Sequence, residues 1–130
     1  MVINTSAVLA ILFGEAPADD LLDALEANPV VRLSAASLVE AGLVAQRRTG
    51  DEGEAGLDRL LHRLAVEIVP VTREHAEIAR AAYRRFGKGR HPAGLNFGDC
   101  FSYALASALG EALLFVGGDF TRTDVDAADY

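Results

Sequence analysis

Cysteine is almost missing: Cys100 is the single one in 130 residues, so no internal disulfide can form and the composition fits a reducing compartment. No apolar run approaches the ~20 residues needed to cross a bilayer, so no membrane partner is expected. No basic stretch precedes a small-residue cleavage site, and the expectation is a cytoplasmic protein. Basic charge is scarce as well. Lys and Arg number 12 against 19 Asp and Glu, giving a net charge of −7. Bulk electrostatics therefore cannot hold nucleic acid on this chain, and such binding would need a local basic patch or a bound cation. Repeats, low-complexity tracts and linkers are absent, so one domain spanning 1–130 is expected. With 51 % hydrophobic and 24 % charged residues, that domain can bury one core.

What is present is an alternation. Short β-branched runs occur at Val2-Ile3, Val30 to Leu33, Val66 to Val71 and Ala112 to Val116. Between them lie stretches with helical spacing. Ser6 to Phe13 is apolar all round and reads as a buried helix. Pro17 opens a second helix, with Asp19 and Asp20 in its first turn and an apolar face of Leu21, Leu22 and Leu25; Asn28-Pro29 ends it. Ala35 to about Arg48 reads as a third, with Leu38, Leu43 and Val44 inward and Gly50 as its stop. A fourth runs from about Gly53 to Ala65 on Leu57, Leu60, Leu61 and Leu64. Thr72 to Phe86 gives a fifth, and Asn96 caps a sixth that Gly110 closes. Residues 88–95 hold two Gly and a Pro and read as a loop. The fold class expected is α/β: a doubly wound parallel sheet of four to five strands flanked by helices on both faces. In such sheets ligands bind beyond the carboxyl ends of the strands.

Four residues fall at such ends. Asn4 follows the first strand, Glu40 lies in the helix after the second, Asp99 in the first turn of the sixth helix, and Asp119 beyond the last strand. Each has an ordinary reading: Asn4 as a helix cap, Asp99 as a complement to a helix dipole, Asp119 as a turn residue after Gly-Gly. Glu40 lies among apolar neighbours, where a carboxylate is costly unless paired or metal-bound. Together they make a different case. Three carboxylates and an amide on one rim repel unless a cation compensates, and oxygen donors of this kind suit Mg²⁺ or Mn²⁺. A basic run, "YRRFGKGRH", carries Arg84, Arg85, Lys88, Arg90 and His91 just ahead of Asp99. It reads equally as a solvated helix end or as a phosphate-binding rim. Cys100 reads as a small core residue, and His62 and His75 as solvated.

Four segments in order, "MVINTSA", "SAASLVEAGLV", "GLNFGDCFSYALA" and "LLFVGGDFTRTDV", resemble those of the PIN-domain ribonucleases, in particular the VapC-type toxins of bacterial type II toxin–antitoxin pairs. The third segment is the most specific of them. The resemblance implies divalent-metal-dependent endonucleolytic cleavage of RNA with Mg²⁺ or Mn²⁺. It implies Glu40, Asp99 and Asp119 as acidic-site residues, with Asn4 standing where the family's first aspartate belongs. Asn4, Asp99 and Asp119 would be metal ligands, Glu40 would orient the attacking water, and Lys88, Arg90 and His91 would contact RNA. Implied partners are an RNA substrate (tRNA or ribosomal RNA), a cognate antitoxin and a second copy of the chain. The leucine stripes of the second and fourth helices are candidate antitoxin grooves, though such stripes are more often core.

Three positions depart from the pattern. Val116 and Gly118 stand where the family commonly has a lysine and an acidic or amide residue. The larger departure is Asn4. An amide oxygen can meet a metal but brings no charge, and its NH₂ end is a donor. The expectation is a ribonuclease toxin weakened or silenced at Asn4; the alternative is a catalytically dead PIN-like module that binds antitoxin or RNA. Phosphoryl-transfer domains with a similar sheet need an Asp on the first strand, and "INTSA" has none.

Overall fold

The computed structural model describes all 130 residues. In chain order the elements are β1 (Val2–Ile3), α1 (Thr5–Leu12), α2 (Ala18–Glu26), β2 (Arg32–Ser34), α3 (Ala35–Arg63), β3 (Glu67–Val69), α4 (Arg73–Phe86), α5 (Phe97–Leu109) and β4 (Leu113–Leu114). The four strands form one parallel sheet in the order β3-β2-β1-β4. A bridge beside β4 extends it: Leu113 N donates to Asp126 O at 2.8 Å and Ala128 N to Leu113 O at 2.9 Å. The chain first winds from β1 towards β3, then returns to place β4 on the other side of β1. The switch point is therefore between β1 and β4, where a parallel sheet opens a crevice.

Side-chain alternation explains the two faces. Val2 and Leu113 point into a core with α4 and α5, joined by Phe86, Leu95, Leu105, Phe115 and Phe120. Ile3, Leu33 and Leu114 point the other way, into a core with α1, α2 and α3. Helices on both faces are what a parallel sheet requires, and the expected doubly wound class is observed.

The strands are shorter than their apolar runs suggest, because only the paired stretch counts: β3 covers three residues of the Val66 to Val71 run. The third and fourth helices are one element, α3, broken at Thr49-Gly50, where Gly50 turns the chain at φ +66°. The inward face of its first half is also different from expectation. Ser37, Ala41 and Ala45 are buried, whereas Leu43 is 65 % exposed. Small side chains at i, i+4 and i+8 let α1 pack close. His75 is buried rather than solvated, since it lies on the α4 face that carries Ala79, Ala82 and Phe86. Leu21 and Leu25 in α2, and Leu57 and Leu61 in α3, are core residues and leave no groove of their own. Removing the buried Leu33 side chain (Leu33→Ala) is expected to cost about 3 kcal/mol in urea denaturation. Leu43→Ala should stay within about 0.5 kcal/mol.

At the amino ends of the strands, Arg32 bonds to both Glu67 and Glu111 and so holds the starts of β2, β3 and β4 together. The tail is tied down by Asp124, which accepts Tyr103 OH at 2.5 Å and an Arg85 N–H at 3.1 Å. The tyrosine hydrogen bond, with Arg85 behind it, holds the Asp124 carboxyl below its usual range. A depressed carboxyl stabilises the fold above its unfolded pKa, and that contribution is lost as pH falls through the folded value. The group is half exposed, so the effect is small after screening. Acid melts below about pH 4 should therefore show a slightly steeper loss for the native chain than for Asp124→Asn.

Candidate functional site

The crevice beyond β1 and β4 collects the four residues singled out from the sequence. Asn4 is fixed by its backbone, whose N–H bonds to Leu114 O at 2.8 Å and completes the β1–β4 ladder. Its side chain is 2 % exposed. Oδ1 accepts the Ser6 N–H at 2.9 Å, which caps α1 and fixes which end of the amide is the oxygen. Nδ2 donates to Ser102 Oγ at 3.0 Å, and Ser102 Oγ lies 3.1 Å from Ser37 Oγ. Thr5 Oγ1 donates to Ser37 O at 3.4 Å and Ser6 Oγ accepts the Val116 N–H at 3.0 Å, so the first hydroxyl ties α1 to the start of α3 and the second fastens the chain leaving β4.

Asp99 lies in the first turn of α5 and is 7 % exposed. Asn96 and Asp99 form a reciprocal cap: Asp99 N donates to Asn96 Oδ1 at 2.9 Å, and Asn96 N to Asp99 Oδ2 at 3.0 Å. Burial pushes the Asp99 carboxyl up to about 6; the Asn96 hydrogen bond opposes this, the Asp119 and Glu40 carboxylates add to it, and the Asn4 amide opposes it. Asn4, Glu40 and Asp119 thus all act on the Asp99 carboxyl, which brings together the four residues singled out from the sequence. Asp119 is exposed and starts a single 3₁₀ turn, Phe120–Arg122. Glu40, half-buried in α3, lays its carboxylate against Gly98 at the start of α5. Burial also raises the Cys100 thiol to about 11, with Asp99 adding to it, so a core role fits it better than a nucleophilic one.

The basic run divides. Lys88 lines a groove of about 530 Å³ between α4 and α5, together with Tyr83, Asn96, Phe97 and Phe101. Arg90 lies over the Tyr83 ring at 5.8 Å. His91 is tied into its own loop, accepting the Ala93 N–H at 3.1 Å and meeting the Phe86 ring edge-on at 5.2 Å. Arg85 serves the tail, as described above, while Arg84 is exposed. Sequence reasoning missed Ser37, Ser102 and Gly98. The two serines look like ordinary helix residues, and only the fold brings them to Asn4.

No three His, Cys, Asp or Glu side chains stand together as a ready-made ligand cage. The donor set still fits a hard divalent cation. Its groups are oxygens, and Mg²⁺ is usually held by one or two carboxylates with several retained waters. Two carboxylates, Glu40 and Asp119, acting on the buried Asp99 carboxyl are also an arrangement that a cation relieves.

A strand-switch crevice of this order, with an amide at β1's end and carboxylates from α3, α5 and the segment after β4, defines a protein class. A model of the PIN domain matches residues 1–126, and the chain belongs to that family. It is 51 % identical over 125 residues to the VapC ribonuclease Mb0640 of Mycobacterium bovis, covering 96 % of this chain and 95 % of that one. It is 52 % identical over 127 residues to the ribonuclease VapC of Mycolicibacterium smegmatis, covering 98 % of both. Among solved structures, the Mycobacterium tuberculosis VapC20 toxin, described as cleaving the sarcin–ricin loop, superposes with a TM-score of 0.78 at 22 % identity over 95 % of each chain. A toxin–antitoxin complex from Klebsiella pneumoniae gives 0.68 at 19 % identity, covering 95 % of this chain and 92 % of that one. No helix is long and apolar enough to cross a membrane.

Proposed function

We propose that this chain is a VapC-type ribonuclease toxin whose cleavage of RNA depends on Mg²⁺ or Mn²⁺ and is weakened by Asn4. The observation that carries the reading is the convergence of Glu40, Asp119 and Asn4 on the buried Asp99 carboxyl. The high identity to named VapC ribonucleases over nearly the whole chain supports the activity.

In this reading Asp99, Asp119 and the Asn4 oxygen would hold the metal ion. When bound, it would lower the pKa of a water and neutralise charge developing on the phosphate. The chain's own residues do the rest. Glu40 would orient the attacking water and take its proton. Lys88 and Arg90 would hold phosphates beside the site, with His91 shaping their loop. Asn4 is the weak point: its oxygen already accepts the Ser6 N–H and its NH₂ donates to Ser102, so it brings no charge to a metal and only one remaining lone pair. That same placement favours the second reading, a PIN-like module that binds antitoxin or RNA without catalysis.

An antitoxin and a second copy of the chain complete the proposal. Among the similar solved structures are toxin–antitoxin complexes. Val39 and Leu43 on α3 and Phe97 on α5 are 61 %, 65 % and 80 % exposed, apolar surface that a partner chain would cover. Expression in a bacterial host tests the activity: Asn4→Asp should arrest growth with loss of intact RNA, while the native chain should not. Equal growth with both chains would favour the binding module.

A further inference from the structure

Gly98 lies inside α5, between the capping Asn96 and Asp99, with helical backbone that any residue could adopt. No backbone conformation demands glycine there, and a glycine inside a helix is generally a cost relative to alanine. Space is the reason for it. A Cβ on Gly98 would overlap Glu40 Oε2 and stand 2.5 Å from the carboxylate carbon and 2.9 Å from Oε1. The Glu40 carboxylate therefore sits in the volume of the missing side chain, against the first turn of α5. The positive end of the helix favours a carboxylate there.

We propose that Gly98 is a positioning residue: its missing side chain is the seat that holds the Glu40 carboxylate beside Asp99. The proposal rests on the ribonuclease reading for its effect on rate, but the seat itself is a matter of geometry. Gly42, a helical glycine in α3, makes the contrast. A Cβ there would meet only Glu54 Oε1, at an ordinary 3.6 Å.

The test uses the full chain carrying Asn4→Asp as parent. Gly98→Ala should lower cleavage about a hundredfold, as expected when a catalytic group is displaced by about 1 Å, and the loss should fall on kcat with KM unchanged. Its melting temperature should not fall, and Gly42→Ala should leave cleavage at the parent level. Adding Gly98→Ala to Glu40→Gln should cost nothing beyond Glu40→Gln alone, because the glycine acts only through Glu40. A crystal structure of the Gly98→Ala variant should show the Glu40 carboxylate moved off α5. Unchanged cleavage, a loss of cleavage that follows a lowered melting temperature, or additive losses in the double variant would overturn the proposal. If the parent cleaves no RNA, the ribonuclease reading fails, and the crystal structure alone decides the seat: a displaced carboxylate upholds it and an unmoved one removes it.

Discussion

Asn4→Asp is expected to lower the melting temperature of the metal-free chain by about 5–10 °C, and millimolar Mn²⁺ is expected to restore it. The substitution isolates one term. Aspartate caps a helix as well as asparagine, so the bond from Ser6 N–H survives. Ser102 can turn its hydroxyl to donate to the new carboxylate and accept from Ser37, so the buried chain of hydroxyls reverses without losing a bond. What changes is charge. A further carboxylate enters a nearly closed site where Asp99 already feels Asp119 and Glu40, and the Asn4 donor that relieved Asp99 is gone. Two unit charges 4 Å apart repel by about 4 kcal/mol at an effective dielectric of 20; protonation of one carboxyl limits the loss to about 2 kcal/mol. A cation at 100 times its dissociation constant returns about 2.7 kcal/mol, enough to offset it. Differential scanning calorimetry with and without Mn²⁺ checks this. Equal melting of both chains, with no response to Mn²⁺, would mean that the four groups do not form one electrostatic unit.

The second large effect concerns Asp99, which has two jobs that substitution can separate. In the Asn4→Asp parent, Asp99→Asn and Asp99→Ala should each reduce RNA cleavage by about a thousandfold or more, the scale of losing a principal catalytic group. Stability should distinguish them. Asparagine keeps an oxygen for Asn96 N–H and preserves the reciprocal cap, whereas alanine removes it at about 1 kcal/mol. Asp99→Asn should therefore melt at or above the parent, because a buried carboxyl and its repulsions are gone. Cleavage retained by Asp99→Asn would remove this residue from the chemistry and leave it a cap.

Much of this was legible in the sequence where the signal is local. Thr72, Asn96 and Gly110 mark helix ends through their own side chains or backbone, and the structure uses all three as caps. Doubly wound topology followed from the alternation of short apolar runs with helices, because a parallel sheet must bury both faces. The convergence of Asn4, Glu40, Asp99 and Asp119 followed from topology as well. Each lies near a strand's carboxyl end or at the helix start facing it.

The rest depends on what packs against what. Periodicity shows that residues 35–48 are helical but does not set the phase of the buried face. The neighbour α1 selects Ser37, Ala41 and Ala45, and Leu43 is turned outward. His75 has charged neighbours in sequence and apolar ones in space. Leu57 and Leu61 looked available as a groove, yet the break at Gly50 folds their half of α3 onto the core beside Leu21 and Leu25. Gly98 and Glu40 are far apart in the chain, and their fit emerges only once α3 and α5 are side by side.

The most direct measurement incubates one RNA with Mn²⁺ and either the native chain or Asn4→Asp, side by side. The account predicts cleavage that appears or rises strongly with Asn4→Asp, disappears with EDTA and is lost again on adding Asp99→Asn. Equal cleavage by both chains, or none by Asn4→Asp under any metal condition, would contradict it.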